Sequence, residues 1–189
     1  MNRKTFLKSI PALGIAGGLT LSGCSTGTGV DSNSDLSGDN AILKLAAERE
    51  AVAIKTYVTA TESGIITSQE ILDTALYYKQ HHYEHIAIFN NLLEEVGASI
   101  VNLDDFSADG RVSEVTSEEE AVILAMTLEM EAAKSYFSNA ILELQSPVAR
   151  EIMGSIFPIE LAHFMSLKAA LGRNPAINAS TFGDINFGE

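Results

Sequence analysis

The chain carries a single cysteine, Cys24, in 189 residues. One thiol excludes an internal disulfide framework. It also excludes a site built on a cysteine pair, such as a rubredoxin-like iron centre, so a reductant would have to be a separate protein. Basic residues are scarce as well: 12 Lys and Arg stand against 25 Asp and Glu, a net charge of −13. Such a surface argues against a nucleic-acid partner and favours attraction of cations, although acidic side chains also serve solubility alone. The apolar run near the N-terminus, Ile10 to Leu21, falls short of the roughly 20 residues that a spanning helix needs.

What the N-terminus does have is order of another kind. Arg3, Lys4 and Lys8 precede the apolar run, and Leu21-Ser22-Gly23-Cys24 closes it. This resembles the lipobox of bacterial lipoproteins, which implies that residues 1–23 are a signal peptide and that Cys24 is the lipidated first residue of the mature chain. Arg3-Lys4-Thr5-Phe6-Leu7-Lys8 also resembles a twin-arginine export signal, with Lys4 where that family has a second arginine. The general secretion route stays open beside it. Loss of the three basic residues takes the net charge from −13 to −16. Residues 24–39, rich in Ser, Gly, Thr and Asp, read as a flexible tether.

Beyond the tether the sequence predicts four helices and one domain. The first runs from Asn40 to Thr61, before Gly64. Thr67 and Glu70 form a capping box for the second, which ends near Gly97. Residues 98–116 are a long connection. Ser117 and Glu120 form another capping box for the third helix, which extends to about Gln145. Ser146 as N-cap and Pro147 at the first helical position open the fourth, which stops at Gly172. Residues 173–189 look irregular. Each helix has an apolar inward stripe: Leu43, Ala46, Ala47, Ala53 and Ile54; Ile71, Ala75, Tyr78, Phe89, Leu92 and Val96; Val122, Met126, Ala133 and Ala140; Met153, Ile156, Leu167 and Ala170. Pro158 lies inside the fourth helix, frees the carbonyl of Gly154 and predicts a kink.

Polar residues interrupt these stripes in a pattern that occurs twice. Glu50 precedes Tyr57 by seven positions, and Glu129 precedes Tyr136 by seven. His82 and His85 follow the first pair; Glu160 and His163 follow the second. Carboxylates in a bundle core need cationic partners, and the stripes contain no Arg or Lys. The three histidines could pair with the three glutamates by hydrogen bonds alone. Two metal ions would account for all six residues at once, and carboxylate with imidazole suits iron, manganese or zinc. His81 borders the stripe and could replace His82 as ligand. Tyr57 and Tyr136 read either as core or as hydrogen-bond donors to ligating carboxylates. Tyr78 reads as core. Glu48, beside Lys44 and Lys55, Glu84 and Glu131 read as solvated.

The segments Lys79-Gln80-His81-His82-Tyr83-Glu84-His85 and Pro158-Ile159-Glu160-Leu161-Ala162-His163 resemble those of the ferritin-like superfamily, which includes ferritins, bacterioferritins and rubrerythrins. The likeness is closer to exported ferritin-like proteins of bacteria and covers about Asn40 to Gly172. It implies an all-α, ferritin-like four-helix bundle with its long crossover between the second and third helices. Glu50 and Glu129 would be the single-glutamate ligands, and Glu160 with His163 the pair on the fourth helix. His82 stands where bacterioferritins have a glutamate.

The resulting expectation is a lipid-anchored di-metal protein, with iron first and manganese or zinc as alternatives, that reacts with oxygen or peroxide on the outer face of the cytoplasmic membrane or in the periplasm. A non-enzymatic metal-binding or structural bundle is the alternative. The partners expected are the membrane, through lipid on Cys24, and an electron donor if the site is redox-active; a homodimer is also open. A lipid on every subunit would hinder closure of an iron-storage shell.

Overall fold

The computed structural model describes residues 38–176. The expected signal peptide, the expected lipidation site at Cys24, most of the expected tether and the tail beyond residue 176 lie outside the described residues. Four helices form the bundle: α1 (Asn40–Glu62), α2 (Gln69–Glu95), α3 (Glu118–Ser138) and α4 (Pro147–Ala170). There is no strand among the described residues. α1 pairs with α2 and α3 with α4, as two hairpins that face each other. No described helix is long and apolar enough to cross a membrane.

Among the described side chains the stripes face inward, apart from Ala170. Leu43, Ala47, Ile54, Phe89, Ala133, Tyr136, Met153 and Ile156 are fully or almost fully buried. Ala170, expected in the stripe of α4, is exposed in the last turn. Pro158 also faces solvent, where its missing N–H removes no buried hydrogen bond, and α4 continues through it.

The helix ends refine the sequence reading. Ser68, one residue after the expected Thr67, caps α2 by accepting from Ile71 N. The acid that completes this start is not Glu70 but Glu118 of α3, which accepts from Thr67 N at 2.6 Å and Ser68 N at 2.7 Å. The two hairpins are thereby joined at one end of the bundle. α3 has the expected Ser117 cap, while Glu120 reaches back to Thr116 N at 2.8 Å. α2 and α4 end alike. Gly97 and Gly172 have φ of 72° and 67°, and the following N–H bonds the carbonyl five residues back: Ala98 to Leu93, Arg173 to Lys168. Only glycine takes that left-handed backbone without strain.

α3 does not run as an α-helix to Gln145. It widens into a π-helical turn, Asn139–Glu143, and stops. Asp39, assigned to the tether by its composition, explains the geometry beyond. Its buried carboxylate accepts from Gln145 N at 3.0 Å and from Ser146 N at 2.8 Å. It holds the α3–α4 corner against the start of α1.

The connection 98–116 is pinned at three places and contains two 3₁₀ turns, Leu103–Asp105 and Gly110–Glu114. The Asn90 amide clamps both backbone groups of Val101, at 2.8 and 2.9 Å. Asp109 N donates to Thr56 Oγ1 at 2.8 Å. Arg111 binds Asp109 and, through both terminal nitrogens, Glu131 of α3 at 2.9 and 3.0 Å. The crossover is therefore strapped to α2, α1 and α3 in turn.

Asp39→Ala leaves two amide donors at the corner without their acceptor. We expect a loss of about 2–3 kcal/mol in urea denaturation, and a smaller loss for Asp39→Asn, which keeps one acceptor oxygen. A loss below about 0.5 kcal/mol, the range of an ordinary surface change, would mean that the clamp is not structural.

Candidate metal centre

Six side chains meet at mid-height in the bundle. Glu50 comes from α1, His82 and His85 from α2, Glu129 from α3, and Glu160 and His163 from α4; all are buried, at 0–3 % exposure. The i, i+3 spacing within α2 and α4 puts both members of each pair on one inward face. Two overlapping clusters result. Glu50, His82, His85 and Glu160 form one; His82, Glu129, Glu160 and His163 form the other, each with its donor atoms within 4.8 Å of one another. His82 and Glu160 belong to both.

His82 turns inward and spans the halves. Its Nδ1 lies 2.6 Å from Glu50 Oε2 and its Nε2 3.3 Å from Glu129 Oε1. Both neighbours are acceptors, so both nitrogens donate when no metal is present, and the ring is then imidazolium. Burial alone would lower its pKa, but the charges of Glu129, Glu50 and Glu160 raise it well above the ordinary value. Burial pushes Glu50 upward in turn, and His82 and His85 outweigh that and hold it at about 2. Glu129 is likewise held low by His82 and His163 against its own burial.

Glu160 differs. Burial and then the charge of Glu129 raise its pKa, and the histidines offset this only in part. His85 Nδ1 lies 2.8 Å from Oε1 and His163 Nδ1 3.4 Å from Oε2. Neither approach has hydrogen-bond geometry. Among the described residues, both oxygens of Glu160 and Nδ1 of His85 have no hydrogen-bond partner. A buried carboxylate left in this way is costly. Two donors about 2.1 Å from one ion and at right angles would themselves be about 3 Å apart. The His85–Glu160 spacing is that of neighbouring metal ligands, and the residues present fit metal ions.

The tyrosines cross. Tyr57 donates to Glu129 Oε1 at 2.5 Å, and Tyr136 donates to Glu50 Oε1. Each hairpin's tyrosine thus serves the other hairpin's glutamate. The reason is distance: seven residues along a helix rise about 10 Å, too far for a bond within one helix. Burial, then the adjacent carboxylate charge, raises both phenol pKa values well above the ordinary value, so both remain donors.

Two residues have positions that composition did not reveal. His81 is half-buried and lies outside both clusters; its Nδ1 is 2.9 Å from Nε2 of His163. That contact engages the far side of the ring while Nδ1 of His163 faces Glu129 at 3.1 Å. Tyr78 stacks on His163 at 3.9 Å between ring centroids and bonds Ser166. Its place four residues before His82 on one stripe was the available signal. The acids read as solvated lie outside both clusters: Glu48 pairs with Lys44 as its face suggested, Gln80 donates to Glu84 at 3.3 Å, and Glu131 binds Arg111 of the crossover.

A family model described as a ferritin-like domain matches residues 38–173, from just before α1 to just past the end of α4. The chain belongs to that family. No curated protein and no solved structure matches it. The match covers both hairpins and all six candidate ligands. Within this ferritin-like domain, the buried Glu and His groups could hold metal ions.

The metal-free ferritin-like domain should show a pH optimum of stability. Burial lowers the pKa of His85, but Glu160 and Glu50 outweigh it and raise it from 6.5 to about 9. Its contribution is complete below pH 6.5 and disappears as pH rises through about 9. Glu160, also raised, acts in the same sense. Glu50, lowered from 4.5 to about 2, contributes above pH 4.5 and loses that contribution as pH falls through about 2. The thermal midpoint should therefore peak between about pH 4.5 and 6.5. Zinc should flatten the alkaline side, because the metal replaces the protons. A midpoint that rises from pH 7 to 9 without metal would contradict this ordering.

Proposed function

We propose that the protein binds two metal ions, iron or iron with manganese, and reacts with oxygen or peroxide in the cell envelope. The observation that carries the reading is Glu160, a buried carboxylate shared by both clusters whose oxygens have no hydrogen bond. Glu50, His85 and Glu160 would hold one ion and Glu129, Glu160 and His163 the other, with His82 adjoining both. The metals, when bound, supply the redox chemistry. The chain's own groups hold the carboxylates in place: Tyr57 and Tyr136 each fix one oxygen, His81 fixes the ring of His163, and the apolar stripes exclude water.

A second reading has an observation of its own. His82 already bonds Glu50 and Glu129 without any metal, so two of the three carboxylates share a cationic donor supplied by the chain itself. That favours a structural or non-catalytic bundle in which a metal, if present, is zinc. Metal analysis of protein purified without added metal, with an optical spectrum, separates the two readings.

Glu129→Ala should lower the metal content from two ions per chain to one or fewer. Glu131→Ala, which only breaks the exposed pair with Arg111, should leave it unchanged. Equal loss in both, or metal-free wild type from careful preparations, would sink the di-metal reading.

The envelope location rests on Leu21-Ser22-Gly23-Cys24. Cys24→Ser should move the protein out of the membrane fraction, read by immunoblot after ultracentrifugation. A variant that remains there to the same extent would remove Cys24 as the anchor.

A further inference from the structure

A cavity of about 400 Å³ opens between α1 and α3 and reaches the candidate metal centre. Its floor is the buried face of the centre: Glu50, His82, Glu129 and the two tyrosines. Its walls are apolar, with Val52 and Ala53 on α1 and Leu128 and Ala132 on α3, and Phe106 of the crossover also lines it. Dioxygen or peroxide needs far less room, since one water takes only about 30 Å³ of liquid. The volume lies in the lower range of pockets that hold small organic ligands.

The rim decides the sign of the ligand. Three acids line it, and two bases are already committed to them: Lys44 pairs with Glu48, and Asp109 and Glu131 share Arg111. Arg49 also lines the cavity and is exposed. Among the described residues it has no hydrogen-bond or ion-pair partner. An unpaired guanidinium above apolar walls suits a planar carboxylate with a hydrocarbon body.

We propose that this cavity binds a small aliphatic carboxylate, its headgroup paired with Arg49 and its chain running between α1 and α3 toward Glu50 and Tyr136. Arg49 selects for the anion, and the walls provide most of the affinity, since an ion pair at an exposed rim adds little by itself.

The test is titration calorimetry of the full chain with octanoate, in metal-free and zinc-loaded form, with octanol and octylammonium as probes of the same length. Octanoate should bind one to one in both forms, and more tightly than octanol or octylammonium. Arg49→Glu should weaken octanoate by roughly tenfold or more through like-charge repulsion, and should leave octanol unaffected. Ala132→Trp should fill the cavity and abolish both; zinc content and thermal midpoint of each variant show that the bundle is intact. No octanoate binding in either form, or binding equal in wild type, Arg49→Glu and Ala132→Trp, would overturn the proposal. The metal reading fails separately. If zinc does not load but octanoate still binds through Arg49, the cavity assignment stands and the di-metal site falls. If zinc loads and octanoate binds neither form, the reverse holds.

Discussion

Three glutamates buried at one level of the bundle set the terms for everything around them. A carboxylate in an apolar interior must find positive charge or several donors. Glu50 and Glu129 find both, through His82 and through a tyrosine from the opposite hairpin. Glu160 finds only the charge: its oxygens lie near the ring nitrogens of His85 and His163, in geometry that makes no hydrogen bond. The histidines, the crossed tyrosines and the polar gap in each stripe all answer to that one electrostatic demand. It is also why the centre lies where four helices converge, since no pair of them offers enough donors.

The approximate two-fold relation between the hairpins is close in its parts and broken in one. Glu50 and Tyr57 correspond to Glu129 and Tyr136, and His85 to His163. Gly97 and Gly172 end the corresponding helices in the same way. The break is His82 opposite Glu160. One half offers an imidazole with two nitrogens where the other offers a carboxylate with two oxygens.

Much of this was legible in the sequence because helical periodicity is a local property. A glutamate or histidine that interrupts a 3.6-residue apolar stripe announces its own burial, and the six candidate ligands were found in that way. The choice between His81 and His82 needed the rotation of α2 about its axis, which neighbouring residues on one helix cannot fix. The partners of Tyr57 and Tyr136 needed the relative height of two hairpins. Asp39 and Glu118 were missed because their acceptors serve backbone amides far along the chain, at Gln145 and Ser146 and at Thr67 and Ser68, and backbone donors have no sequence signature. The cavity was hidden for a similar reason: it is defined by the space between α1 and α3.

The crossing of the tyrosines bears on what half of this molecule would be. A hairpin of α1 and α2 alone would hold one glutamate, two histidines and a phenol whose acceptor is on the other half. The hairpin of α3 and α4 would be in the corresponding position. Neither is a smaller version of the whole, because each supplies the finishing bond of its neighbour. Two copies of one ancestral hairpin, set face to face, would satisfy every such bond reciprocally.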